Sequence, residues 1–80
     1  MSERLGLELR HRRLAAHLSQ EAVCAPLTRA FLSQVESGRT LPSLPALIVL
    51  AERLGTSADE VLKAVNIALN SEYSARHEDR

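Results

Sequence analysis

Residues 19–39 read Ser19-Gln20-Glu21-Ala22-Val23-Cys24-Ala25-Pro26-Leu27-Thr28-Arg29-Ala30-Phe31-Leu32-Ser33-Gln34-Val35-Glu36-Ser37-Gly38-Arg39. This stretch encodes two short helices. Ser19 is an N-cap residue, and Gln20, Glu21 and Ala22 open the first helix, with the acid where the helix dipole favours it. Pro26 stops that helix, because the residue before a proline is pushed out of the α region. Thr28 caps the second helix, from about Arg29 to Ser37, and Gly38 terminates it. Leu27 enters as an N-terminal staple, and Leu32 and Val35 turn inward. The remaining side chains of the second helix, Arg29, Ala30, Phe31, Ser33, Gln34 and Ser37, make a lightly polar face rich in hydrogen-bonding groups.

The flanking segments continue the helical pattern. Upstream, Leu5, Leu9 and Leu14 recur at helical spacing from about Glu3 to His17, with Leu18 just beyond. His17 stands where a left-handed terminating residue is expected. Downstream, Arg39 to Pro42 reads as a loop, and Ser43 caps a fourth helix with Pro45 in its first turn. Leu47, Ile48, Leu50, Ala51 and Leu54 make that helix apolar on nearly all sides, so it is expected to be central, and Gly55 stops it. Ser57 and Glu60 have the spacing of a capping box for a fifth helix carrying Val61, Leu62, Val65 and Leu69. These elements predict an all-α fold, a five-helix orthogonal bundle, over residues 1–70, followed by a polar tail at 71–80.

Composition agrees with a helical bundle. Apolar residues make up 45% of the 80, with Phe31 and Tyr73 as the aromatics, and three glycines and three prolines are too few for a strand-and-turn fold. One domain is expected. At this size it buries only about 60% of its unfolded surface, so a partner subunit would matter to its stability. The single Cys24 cannot form an internal disulfide and reads as a small buried residue. No apolar run approaches the ~18 residues of a membrane span. Met1-Ser2-Glu3-Arg4 leads straight into an amphipathic pattern without a signal-peptide core, so a cytoplasmic protein is expected.

Formal net charge is zero, but the charge is mildly segregated. Up to Thr40 the bases are Arg4, Arg10, Arg12, Arg13, Arg29 and Arg39 against Glu3, Glu8, Glu21 and Glu36. Beyond it the bases Arg53, Lys63, Arg76 and Arg80 face the acids Glu52, Asp59, Glu60, Glu72, Glu78 and Asp79. His11, His17 and His77 have no ligand spacing, so no metal and no cofactor are expected. Ser19, Ser33, Ser37 and Ser43 read as caps and surface residues without a base beside them, so an enzyme is not expected.

Two short helices in tight connection, the second with an exposed face of Arg, Ser and Gln, describe a helix-turn-helix. With Leu5-Gly6, Leu9-Arg10, Arg13, Leu18-Ser19-Gln20-Glu21, Leu32-Ser33-Gln34-Val35-Glu36-Ser37-Gly38-Arg39, Pro42-Ser43 and Leu54-Gly55, the chain resembles the phage repressor and Cro family. This family is also called the xenobiotic-response-element family of bacterial regulators, and its fold is lambda-repressor-like. The resemblance covers about residues 5–65. There is one departure from the family pattern, which has two more residues between the Ser-Gln-Glu start and the Thr or Ser that opens the next helix, and a turn glycine near the place of Pro26. Either the helix is shorter here or the turn is rebuilt, and either Ala22 or Cys24 is the small residue where the two helices touch.

The resemblance implies double-stranded DNA as the partner and assigns roles to residues. Gln20 would meet the DNA backbone or an outer base. Thr28 would present its hydroxyl and nearby amides to phosphate. Arg29 would take a guanine through O6 and N7, Ala30 would touch a thymine methyl, and Gln34 would read an adenine. Ser33 shares that DNA-facing side, and Arg39 and Thr40 would contact phosphate. The competing reading of Arg29 and Gln34 is a solvated surface, and Phe31 either packs sideways on the scaffold or faces DNA. In the family an arginine of helix one pairs with the glutamate ending the recognition helix, which makes Arg13 and Glu36 a structural ion pair.

The function expected is a sequence-specific transcriptional regulator, homodimeric on an inverted repeat. In size and layout it is similar to the stand-alone controllers of restriction–modification operons and to small phage repressors. The dimer seam is expected on the fifth helix at Val65, Ile67, Ala68 and Leu69, because apolar surface there exceeds what capping the bundle requires. The alternative is that Ile67 lies under the tail, covered by Tyr73. A different function, an antitoxin or other module whose main partner is a protein, is kept open by the acidic second half and neutral pI.

Overall fold

The structure is a computed structural model that describes residues 2–67. These residues form α1 (Ser2–Ala15), α2 (Gln20–Cys24), α3 (Arg29–Glu36) and α4 (Leu44–Arg53). A fifth helix, α5, covers residues 58–67. The described residues contain no strand, so the all-α five-helix fold stands. Ala68, Leu69 and the segment 71–80 lie outside them.

Each of α2 to α5 opens on a hydroxyl cap. The side chains of Ser19, Thr28 and Ser43 accept from the amides of Ala22, Phe31 and Ala46, and that of Ser57 accepts from the amide of Glu60. Each cap satisfies one of the orphan donors at a helix start, worth about 1 kcal/mol.

Helices α1, α3 and α4 share one termination. A residue of positive φ, His17, Gly38 or Gly55, follows the helix. Its amide, and that of the next residue, return to two carbonyls of the last turn: His17 and Leu18 to Leu14 and Arg13, Gly38 and Arg39 to Val35 and Gln34, Gly55 and Thr56 to Glu52 and Ala51. This is the Schellman pattern. Helix α2 ends differently, on Ala25 with extended backbone before Pro26 across a cis peptide bond.

The core draws on all five helices: Leu5 and Leu9, Val23 and Cys24, Leu32 and Val35, Leu47, Leu50 and Ala51, and Val61 and Val65. Cys24 is buried and Ala22 exposed, so Cys24 is the small residue turned toward the core from α2. Three apolar expectations change. Leu62 of α5 is exposed, because that helix buries only Val61 and Val65. Leu14 is exposed, because the buried side of α1 runs through Leu5, Gly6, Leu9 and Arg13. Ile48 is exposed as well, since α4 buries only the side holding Leu47, Leu50 and Ala51.

Gly6 sets the approach of α1 to α3. A Cβ there would overlap the carbonyl oxygen of Val35 and crowd that of Glu36. The absent side chain lets the α1 backbone lie directly against the last turn of α3. Arg12 ties the other side of α1 to the bundle, pairing with Glu8 at 2.6 Å and donating to the Thr56 hydroxyl at 3.3 Å.

Candidate nucleic-acid interface

Helix α3 buries Leu32 and Val35 and leaves Arg29, Ala30, Ser33, Gln34 and Ser37 exposed. Phe31 is half-buried and packs against the core, so the scaffold position is the one it occupies. An arginine in the first turn of a helix opposes the helix dipole. Two side chains of α2 offset this. Glu21 stands 3.6 Å from the Arg29 guanidinium, and Gln20 Oε1 accepts from Arg29 Nε at 3.5 Å. The short α2 therefore still places Gln20 beside Arg29.

At the other end of α3 the chain turns around Gln34. Its backbone carbonyl accepts from the Ser37 hydroxyl and from the amides of Arg39 and Thr40, and its side-chain oxygen accepts from the Thr40 hydroxyl at 3.2 Å. Thr40 is thus held against Gln34, while Arg39 is exposed. The spacing of these residues in sequence does not reveal the Thr40–Gln34 contact, because the Schellman turn at Gly38 is what folds residue 40 back.

The angle of α3 is held by Arg13. Its Nε and Nη2 donate to the two carboxylate oxygens of Glu36 at 2.7 and 3.0 Å, and Nη1 donates to the Leu18 carbonyl at 2.8 Å. The side chains of Arg13 and Glu36 are only 11% and 5% exposed. The hydrogen bonds to Glu36 hold the Arg13 pKa above its ordinary value against the opposing cost of burial. This bidentate fork needs an arginine, since a lysine is a point charge. Gln20 Nε2 adds a third donor to Glu36, at 3.1 Å, a contact with no counterpart in the sequence pattern.

Beside this pair, a groove between α1 and α3 is lined by Arg10, Arg13, Gln20, Ser33, Glu36 and Ser37. Gly6, Arg10 and Arg13 recur at helical spacing. Once Arg13 reaches α3, Arg10 one turn earlier must flank it as well, and that spacing is the signal by which Arg10 could have been found. On α5, Val65 is buried in the core, whereas Ile67, the other described residue of the expected seam, is 65% exposed.

Two short helices at a fixed angle, the second with its polar face outward, define a helix-turn-helix. The chain belongs to that family: a model of the helix-turn-helix domain matches residues 4–64. Comparison with curated protein sequences gave no match. Among solved structures, the chain is similar to the restriction-modification controller protein C.AhdI from Aeromonas hydrophila, at 33% identity over 74% of this chain and 92% of that one, TM-score 0.70. It is also similar to the clp gene regulator ClgR from Corynebacterium glutamicum, at 26% identity over 84% and 90%, TM-score 0.76. The apo form of the competence regulator ComR from Streptococcus vestibularis matches at 34% identity and TM-score 0.74 over 78% of this chain but 22% of ComR, so the chain spans about a fifth of that protein's length. These neighbours are regulators of the xenobiotic-response-element type, as the sequence resemblance implied. Among the described residues no helix is long and apolar enough to cross a membrane, and no cluster of His, Cys, Asp and Glu is arranged to hold a metal ion.

Proposed function

We propose that the chain is a sequence-specific DNA-binding regulator acting as a homodimer on an inverted-repeat operator, with α3 in the major groove. The observation that carries this reading is the outward face of α3. In this reading Arg29 takes a guanine, Ala30 a thymine methyl and Gln34 an adenine, while Gln20, Thr28, Ser33, Arg39 and Thr40 meet the flanking DNA backbone. The exposure of Arg29, Ala30, Ser33, Gln34 and Arg39 supports it. A rigid polar helix whose angle is held by a buried ion pair suits recognition by shape and hydrogen bonding.

A dimer explains how so small a reading surface gains specificity, because two-fold pairing sets two recognition helices about 34 Å apart on successive major grooves. The exposed Ile67 on α5 supports that pairing. The similarity to C.AhdI, described as a restriction-modification controller, favours a controller-like role.

The test is selection of bound sequences from random duplex DNA, followed by a salt titration on the best site. A dimer with about 6–10 phosphate contacts loses roughly 10³–10⁵ in affinity between 50 and 200 mM salt. The selected sequences are expected to be two-fold symmetric. Flat salt dependence, or no enriched sequence, would overturn the reading.

A further inference from the structure

The groove between α1 and α3 carries a residue that the recognition scheme above leaves out. Of its lining side chains, Arg13 is taken up by Glu36 and the Leu18 carbonyl, the Gln20 amide donates to Glu36, and the Ser37 hydroxyl is turned back to the Gln34 carbonyl. The carboxylate of Glu36 is neutralised by Arg13 in the floor of the groove. Only Arg10 and Ser33 bring donors that are unengaged among the described residues, and both are exposed. Of the neighbouring arginines, Arg12 pairs with Glu8, and Arg29 stands at the start of α3 beside Glu21 and Gln20, the place from which it would read a base.

We propose that Arg10, seconded by the Ser33 hydroxyl, is a binding site for a backbone phosphate of the DNA strand that runs along the α1 side of α3. This rests on α3 lying in the major groove. A helix with its side chains is about 10–12 Å across and nearly fills a groove about 12 Å wide. The two sugar-phosphate backbones must then run along its flanks. In the groove on the flank that faces α1, Arg10 is the charge without an ion-pair partner among the described residues, and the Ser33 hydroxyl lines the same groove. A charged donor and a neutral one at the edge of a concave surface suit a phosphate oxygen pair better than a base edge, which α3 itself reaches first.

The experiment compares Arg10→Ala, Arg10→Lys and Arg53→Ala with the unaltered protein on the selected duplex and on random duplex, across a salt series. Arg53 is exposed and outside the groove, so its loss removes the same charge elsewhere. Arg10→Ala is expected to lower the salt slope by about 0.9 per bound protomer, and to weaken both duplexes roughly tenfold at about 0.1 M salt with base preference intact. Arg10→Lys keeps the slope, and Arg53→Ala leaves it unchanged. In ethylation interference, one phosphate per half-site that matters to the unaltered protein ceases to matter to Arg10→Ala. If Arg10→Ala keeps the slope and interference pattern of the unaltered protein, the phosphate site is refuted while DNA binding stands. A changed base preference at constant slope would make Arg10 a base reader and also overturn it. If the unaltered protein binds no duplex, the regulator reading falls and the site with it.

Discussion

Gln20 and Glu36 meet across the helix-turn-helix: the Gln20 amide donates to Glu36 Oε1 at 3.1 Å, the oxygen that also accepts from Arg13 Nη2 at 3.0 Å. The other end of the Gln20 side chain accepts from Arg29. A residue at the start of α2 therefore connects the buried ion pair to the first residue of α3. Replacing Gln20 with Glu would set a second carboxylate against Glu36 and remove a donor. Gln20→Glu is expected to lower the melting temperature and weaken DNA binding together, and binding loss without any change in melting would make Gln20 a pure DNA contact.

The Arg13–Glu36 pair is mostly buried, and Arg13 also satisfies the Leu18 carbonyl. Arg13→Ala leaves a buried carboxylate without its charge partner, a change that costs on the order of 3–5 kcal/mol. Such a loss is a large part of the stability of a small domain. Arg13→Lys keeps the charge but not the fork and is expected to fall between the two in urea denaturation. Equal midpoints for all three proteins would refute the structural role.

Gly6→Ala tests the close approach of α1 to α3. In an open helix this change stabilises by about 1 kcal/mol. Here the added methyl meets backbone carbonyl oxygens that cannot rotate away. Destabilisation by roughly 1–3 kcal/mol is expected. A gain in melting temperature would show that the two helices can separate without cost.

Arg29 and Arg39 are expected to separate base reading from phosphate contact. Arg29→Ala costs about 1–3 kcal/mol on the best duplex and relaxes preference at one position per half-site, whereas Arg39→Ala weakens all duplexes about equally. The Arg29–Glu21 pair is 67% and 75% exposed on its two sides, so its loss hardly alters stability. Glu21→Gln instead removes a negative charge from beside Arg29 and is expected to raise affinity for random duplex. Sequence-independent losses for Arg29→Ala would reduce Arg29 to a phosphate clamp.

Ile67→Glu addresses the dimer. A charge on this exposed apolar position of α5 is expected to give a monomer with weakened operator binding, read by sedimentation and by DNA titration. The unaltered protein sedimenting as a monomer at tens of micromolar would restrict pairing to the operator.

The order and limits of the helices could be read from the chain because they rest on local chemistry. A hydroxyl three residues before an amide, a glycine where φ is positive, and a proline after Ala25 act within a few residues of themselves. The polar outward side of α3 was legible for the same reason. Pairing of Arg13 with Glu36 came only through family resemblance, since nothing local links residues 23 apart. Tertiary structure alone decided that Leu14 and Ile48 face outward, that Cys24 rather than Ala22 turns inward, that Gln20 reaches Glu36, and that Arg10 and Ser33 share a groove. Those outcomes depend on the angle and distance at which α1 crosses α3. That crossing is set by one missing side chain, at Gly6, and by the fork of Arg13, and neither acts until the helices have met.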